Sequence, residues 1–294
     1  MLDGYNDRWA MVTGASSGIG AEFAAHLAAR GMHLVMVARR FDVMKQMAEE
    51  LTTRHGTNCH IVAIDLTDPQ ASERLMEEVD RLGIEVELLV NNAGIGLIGD
   101  VETTDPDDVR KMLTLNIQTL TDLTYRCLPQ MLRRGHGAII NLSSQAAFQP
   151  VAFMGAYAAS KSFVLHFSEA LWAEVRSRGV TVMALCPGVT RTDFFATAGA
   201  PGWLEKHTAT TSTRVVKSAL KALEKRRQYV VTGWKNYFMT LLVRLATRRT
   251  AVNESKRYFR PSKRKEDKKA VTPDNPPADP ADIEPAAAET DATV

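Results

Sequence analysis

The sequence predicts an α/β fold, a doubly wound parallel sheet in a single domain with a C-terminal amphipathic and basic extension. Three observations lead there. Short apolar runs of strand length alternate with longer segments of helical period across the first 230 residues. Several of those runs are apolar without alternation, as strands covered by helices on both faces are. The first run passes directly into a glycine-rich turn that opens a helix.

Runs at 9–12, 33–38, 60–64, 88–91, 138–142, 180–185 and 229–231 are the expected strands, with helices near 18–30, 41–54, 69–82, 106–133, 155–178 and 213–226. Asp68-Pro69 and Asp105-Pro106 read as helix starts, each a capping carboxylate followed by proline at the first helical position. The β-α-β-α order implies right-handed crossovers. Residues 1–233 form the expected α/β domain. Beyond it, Trp234, Tyr237, Phe238, Leu241, Leu242 and Leu245 recur at helical spacing and predict an amphipathic helix over 234–250. A basic segment at 251–269 follows. The acidic Pro/Ala-rich tail at 270–294 buries too little apolar area to offset its ordering entropy and is expected to be disordered.

Composition narrows the function classes. With 45% apolar residues the chain can build a sizeable core. Its net charge of +2 is a cancellation: residues 1–224 carry 21 basic and 25 acidic side chains, residues 225–269 carry 15 and 3, and residues 270–294 carry 6 acidic and no basic ones. No apolar stretch is long enough to span a bilayer, and the N-terminal residues lack the apolar core of a secretory signal. Cys59, Cys127 and Cys186 are widely spaced in apolar stretches and read as buried reduced thiols, with no disulfide or metal site expected. These features point to a cytoplasmic protein.

The turn Thr13-Gly14-Ala15-Ser16-Ser17-Gly18-Ile19-Gly20 stands between the first strand and first helix. Glycine there permits the tight turn and close approach that a pyrophosphate requires, and the helix N-terminus supplies free N–H donors. An acid ending the second strand would accept from the 2′-hydroxyl of NAD, whereas arginine favours the 2′-phosphate of NADP. That strand ends Ala38-Arg39-Arg40, so NADP(H) is favoured over NAD(H).

Tyr157 and Lys161 are four residues apart and share one face of a helix. A phenol titrates near ~10, and a nearby ammonium is expected to lower that value toward a usable general acid/base.

In their order and spacing these residues resemble the short-chain dehydrogenase/reductase family over residues 1–235. Thr13–Gly20 corresponds to its glycine-rich motif. Asp65-Leu66 corresponds to the pair that holds adenine, and Asn91-Asn92-Ala93-Gly94 to the motif closing the fourth strand. Asn116, Ser144, Tyr157 and Lys161 stand at the four catalytic positions, and Pro187-Gly188, Thr190 and Thr192 in the stretch that holds the nicotinamide carboxamide. Thr190 departs from the commoner valine or isoleucine. Ser17 stands where many NADP-using members carry a basic residue, leaving Arg39 as the main feature for the phosphate. Residues 230–236 resemble the end of the family's DltE-like branch.

The resemblance implies a Rossmann-type fold and hydride transfer between a nicotinamide and a carbonyl or alcohol carbon, with no metal. It gives Tyr157 the proton transfer and Ser144 a hydrogen bond to the reacting oxygen. Lys161 lowers the Tyr157 pKa and holds the ribose, and Asn116 positions a water linking Lys161 to solvent. The substrate-facing intervals carry Phe148, Phe153, Met154, Phe194, Phe195, Trp203 and Leu204, which suit a small apolar carbonyl or alcohol compound such as an acyl chain or steroid-like ketone. Gly199 and Gly202 around Pro201 suit a closing lid.

Three readings of the 234–245 stripe stay open: packing on its own domain, a subunit interface, or peripheral contact of residues 234–269 with an anionic membrane. A homo-oligomer is expected. Residues 255–269 hold eight basic side chains with Tyr258 and Phe259 among them, the composition of a nucleic-acid contact. No nucleic-acid fold accompanies them, and no nucleic-acid partner is expected. The alternative function is a membrane-surface or nucleic-acid binding module with little turnover.

Overall fold

A computed structural model describes residues 2–259. The basic residues 260–269 and the tail at 270–294 lie outside the described residues. Seven parallel strands form one sheet in the order β3-β2-β1-β4-β5-β6-β7. They are β1 (Trp9–Thr13), β2 (His33–Ala38), β3 (Cys59–Ala63), β4 (Val86–Asn91), β5 (Gly137–Leu142), β6 (Val180–Cys186) and β7 (Tyr229–Val231).

Helices cover both faces, which is why the strands are apolar at successive positions. On one face Val12, Leu34, Met36, Leu88 and Ile140 pack against Phe23 and Leu27 of α1 (Gly18–Ala28), Met44 of α2 (Phe41–His55) and Leu220 of α8 (Ser212–Glu224). On the other, Met11, Val35, Val37, Leu89 and Val182 meet Leu75 of α3 (Ala71–Arg81), Leu123 of α5 (Leu120–Arg134) and Leu171 of α6 (Gly155–Val175). A buried polar ladder ties the central strands to two helices. Asn91 Nδ2 donates to Asn141 Oδ1 at 2.9 Å and Thr124 Oγ1 at 3.0 Å, and Asn141 Nδ2 donates to Ser168 Oγ at 3.0 Å.

Two helix starts differ. Asp105 does cap α4 (Pro106–Leu113), accepting the Asp107 N–H at 2.8 Å. Asp68 accepts the Gln70 N–H at 2.9 Å instead, closing a turn, and α3 begins after it at Ala71. The helix expected over 106–133 is divided by a π-helical turn, Thr114–Thr119, that carries Asn116. Such turns shift the side-chain phase locally and often serve functional sites.

After α7 (Phe194–Thr197) and α8 come α9 (Trp234–Leu245) and α10 (Arg248–Phe259). Part of the stretch read as a basic segment is therefore helical. No helix among the described residues is long and apolar enough to cross a membrane. Strand order reverses between β1 and β4, so a crevice opens at the carboxyl ends of these strands, where doubly wound sheets bind ligands.

Candidate active site

The crevice floor is a clamp between the ends of β1 and β4. Thr13 Oγ1 accepts the N–H groups of Asn92 at 3.0 Å and Ala93 at 2.9 Å, while Asn92 Nδ2 donates to the Thr13 carbonyl at 2.9 Å. Gly14 is left-handed at φ +68°, and a Cβ there would stand 2.7 Å from Asn92 Nδ2. A Cβ on Gly20 would collide with the Gly14 carbonyl oxygen. Side chains at either position would push the loop off the clamp. Ser16, Ser17, Gly18 and Ile19 line the cleft, with the N-terminus of α1 behind them. Thr13 and Gly20 brace the loop from behind rather than facing the cleft, because Thr13 is buried and Gly20 is pressed on Gly14.

The two arginines after β2 both line the cleft, and Arg40 reaches this loop. The Arg40 guanidinium donates to the Ser16 carbonyl at 3.2 Å and to Ser16 Oγ at 3.1 Å. Arg39 Nη1 lies 3.9 Å from Asp65 Oδ2, an exposed ion pair of the kind worth little in water. Asp65 Oδ1 accepts the Thr67 N–H at 3.0 Å, and the Leu66 carbonyl accepts Thr119 Oγ1 at 2.7 Å. Asp65 and Leu66 thereby line the cleft beside the arginines.

At the other end α6 carries Tyr157, Ser160 and Lys161 into the interior. Lys161 Nζ donates to the Leu142 carbonyl at 2.8 Å and stands 5.8 Å from the Tyr157 ring centroid. Burial pushes the Tyr157 phenol up to about 12, with a Ser144 hydrogen bond acting against it. Burial also lowers the Lys161 ammonium to about 8. The expected depression of the Tyr157 pKa by Lys161 is therefore corrected: desolvation dominates in the protein alone. Ser144 Oγ also accepts the Ala146 N–H at 3.1 Å, which fixes it at the end of β5.

Asn116 stands behind this pair. Its Oδ1 accepts the Ile95 N–H at 3.0 Å, and its Nδ2 donates to the Ile95 carbonyl at 2.9 Å and Ser160 Oγ at 3.1 Å. A Cβ on Gly94 would stand 3.0 Å from Asn116 Oδ1 and 3.3 Å from Lys161 Nζ, so glycine keeps the cleft open there. Asn92 and Ala93 line the cleft beside Gly94, and Pro187, Gly188, Thr190 and Thr192 line its opposite wall. Gln145, not singled out from the sequence, joins the walls by donating its N–H to the Pro187 carbonyl at 2.8 Å.

An apolar cluster surrounds the phenol. Met112, Val151 and Met154 pack with Tyr157, and the Phe194 ring lies 5.3 Å from it. Phe259 of α10 packs against the same cluster and stacks parallel to Trp203 at 5.8 Å. Of the apolar candidates, Met154, Phe194 and Phe195 line the cleft, while Phe148 packs on Tyr229 at 6.0 Å instead. α10 escaped sequence reasoning, although Ala251, Ser255 and Phe259 are spaced four apart on one face. The whole cleft has a volume of about 1900 Å³.

Residues 8–201 match the family model described as short chain dehydrogenase. The chain belongs to the short-chain dehydrogenase family. It is an oxidoreductase acting on CH–OH groups. The very-long-chain 3-oxoacyl-CoA reductase of Macaca fascicularis is 34% identical over 236 residues, covering 77% of this chain and 73% of the relative. The Anas platyrhynchos protein of the same description is 35% identical over 184 residues, and the match spans only 58% of its length. A solved short-chain dehydrogenase from Sphingobium yanoikuyae in complex with NADPH superposes with a TM-score of 0.72 at 31% identity, covering 76% of this chain and 87% of that one. In this dehydrogenase α8, β7, α9 and α10 all lie beyond the family match.

Proposed function

We propose that this dehydrogenase uses NADP(H) to interconvert an apolar ketone, aldehyde or acyl-type carbonyl compound and its alcohol, working as a reductase. The observation that carries the reading is the apolar cluster of Met154, Phe194 and Phe259 packed around the Tyr157 phenol beside Ser144. An apolar substrate displaces water from such a chamber and presents its one polar atom to two hydroxyl groups.

The residues fit a dinucleotide, because Gly14 and Gly20 let the loop sit close on the end of β4 with the α1 N-terminus behind it, and Gly94 keeps side-chain bulk away from Asn116 and Lys161. Ser16, Ser17, Gly18 and Ile19 would hold the pyrophosphate, and Asp65 and Leu66 the adenine. Arg39 and Arg40 would hold a 2′-phosphate. Asn92, Ala93, Gly94, Pro187, Gly188, Thr190 and Thr192 would hold the nicotinamide half with Tyr157 and Lys161. When bound, the nicotinamide supplies the hydride.

The chain's own residues handle the proton. Tyr157 donates its phenolic proton to the carbonyl oxygen as negative charge develops there, and Ser144 donates a hydrogen bond to the same oxygen. Lys161, whose ammonium burial lowers to about 8, would supply the proton that restores the Tyr157 phenol. Asn116 holds Ile95 and Ser160 around that pair. A homo-oligomeric state and peripheral membrane contact through 234–269 belong to the same proposal.

The test is NADPH and NADH oxidation with a panel of apolar ketones, aldehydes and 3-oxoacyl thioesters. Turnover with NADPH that grows with substrate apolarity is expected. NADH preference, or activity confined to polar carbonyls, would overturn the corresponding half of the proposal.

A further inference from the structure

α9 presents large apolar side chains to solvent on the side away from the cleft. Phe238 is 53% exposed, Leu241 37% and Leu245 86%, with Tyr237 beside them. Its other side is anchored: Asn236 Nδ2 donates to the Thr232 carbonyl at 2.7 Å, and Thr240 is buried. Met239, Leu242 and Val243 line the cleft. The helix therefore stands on the cleft rim with apolar residues on both its inner and outer faces. Of the three readings of the stripe, packing on its own domain accounts for only one side of α9, since the domain takes Asn236 and Thr240 and leaves Phe238 and Leu245 largely exposed. A contiguous exposed apolar surface of this kind marks an interaction site.

Charge selects the partner. Residues 225–253 contain seven Lys or Arg and no Asp or Glu. Lys235, Arg244, Arg248 and Arg249 are exposed and have no ion-pair partner among the described residues. A two-fold contact between copies would set these like charges against each other, whereas an anionic surface would pair with them. At 12 residues α9 is about 18 Å long, too short to span a bilayer of about 30 Å. It suits a helix lying in the interface plane, apolar residues among the acyl chains and basic ones at the head groups.

We propose that the outer face of α9 docks on an anionic lipid bilayer and sets the cleft mouth at the membrane, so that apolar substrate enters from the lipid. The docking deepens the peripheral membrane contact proposed above, and entry from the lipid rests on the apolar substrate proposed there; flotation reads the first and ketone turnover the second.

Flotation of the full chain with vesicles of phosphatidylcholine alone and with added phosphatidylglycerol tests the docking. Flotation is expected only with phosphatidylglycerol, weakening with salt. Phe238→Glu combined with Leu241→Glu, both outside the cleft wall, should weaken partitioning about ten-fold or more. A second variant, Arg244→Glu with Arg248→Glu, should do the same without touching apolar area. NADPH oxidation with a water-soluble ketone, measured without vesicles, should be unchanged in both, which separates this proposal from the reductase reading. A wild-type chain that does not float, or variants that float as well as wild type, would overturn the proposal. So would a dimer that both variants dissociate while flotation stays absent.

Discussion

The Ser255 hydroxyl accepts a hydrogen bond from the backbone N–H of Ala152 at 3.1 Å. One contact thus joins α10 to the segment that walls the Tyr157 phenol. Beside it Phe259 packs into the cluster of Val151, Met154 and Tyr157. Phe259→Ala should lower kcat/KM for a bulky apolar ketone about ten-fold while leaving a small ketone nearly unaffected, because only the larger substrate reaches the lost surface. Steady-state kinetics on a ketone series of increasing size checks this. Equal losses across the series would return Phe259 to a purely structural role.

Removing the phenolic oxygen separates chemistry from binding. Tyr157→Phe keeps the ring that packs on Phe194 and deletes the proton donor. Carbonyl reduction should fall by roughly 10² to 10⁴, the usual worth of a positioned acid. NADPH binding, followed by nucleotide fluorescence, should persist within a few-fold.

The parts of the site set by local chemistry could be read in advance: the turn from Thr13 to Gly20, the Tyr157–Lys161 spacing and the arginines after β2. What escaped depends on packing. Six residues at 114–119 are too few for their periodicity to separate a π turn from an α-helix. The Lys and Arg of 248–257 hid the face of Ala251, Ser255 and Phe259, because composition averages over a helix whose sides differ. Phe148 faces Tyr229 rather than the cleft, a matter of which way one short turn points. The Tyr157 pKa runs opposite to the direction the spacing suggests, because proximity to Lys161 is visible in a spacing and burial is not.

Cofactor choice is expected to rest on Arg39 and Arg40 together, since both guanidinium groups reach the cleft beside Ser16 and Asp65. Arg39→Ala should weaken NADPH binding about ten-fold with little effect on NADH, the loss of one charge-assisted phosphate contact. Arg40→Ala should weaken both, because Arg40 also holds the Ser16 carbonyl of the phosphate loop. Parallel titrations with the two nucleotides check the split. An unchanged NADPH:NADH ratio in Arg39→Ala would refute the assignment of the 2′-phosphate to Arg39.

Lys161 should leave a signature in the pH dependence of stability. Burial lowers its ammonium from 10.5 to about 8 in the folded chain. Between those values the unfolded chain binds more protons than the native one, so this group's contribution to stability rises with pH. That contribution is fully present above pH 10.5 and is lost as pH falls through about 8. Tyr157 runs the other way: raised from 10.0 to about 12, it contributes stability below pH 10 that disappears toward pH 12. Buried Cys127 and Cys186, each raised from 9.0 to about 12, oppose the lysine as pH approaches and passes 9. Both thiols are common to wild type and a Lys161 variant, so the difference between the two proteins isolates Lys161. Urea unfolding at pH 7 and pH 9 should show the stability of wild type rising relative to Lys161→Met, which keeps the side-chain length and removes the charge. A difference between the two proteins that stays constant with pH would mean Lys161 is solvated in the folded chain, and its part in returning a proton to Tyr157 would lose its physical basis.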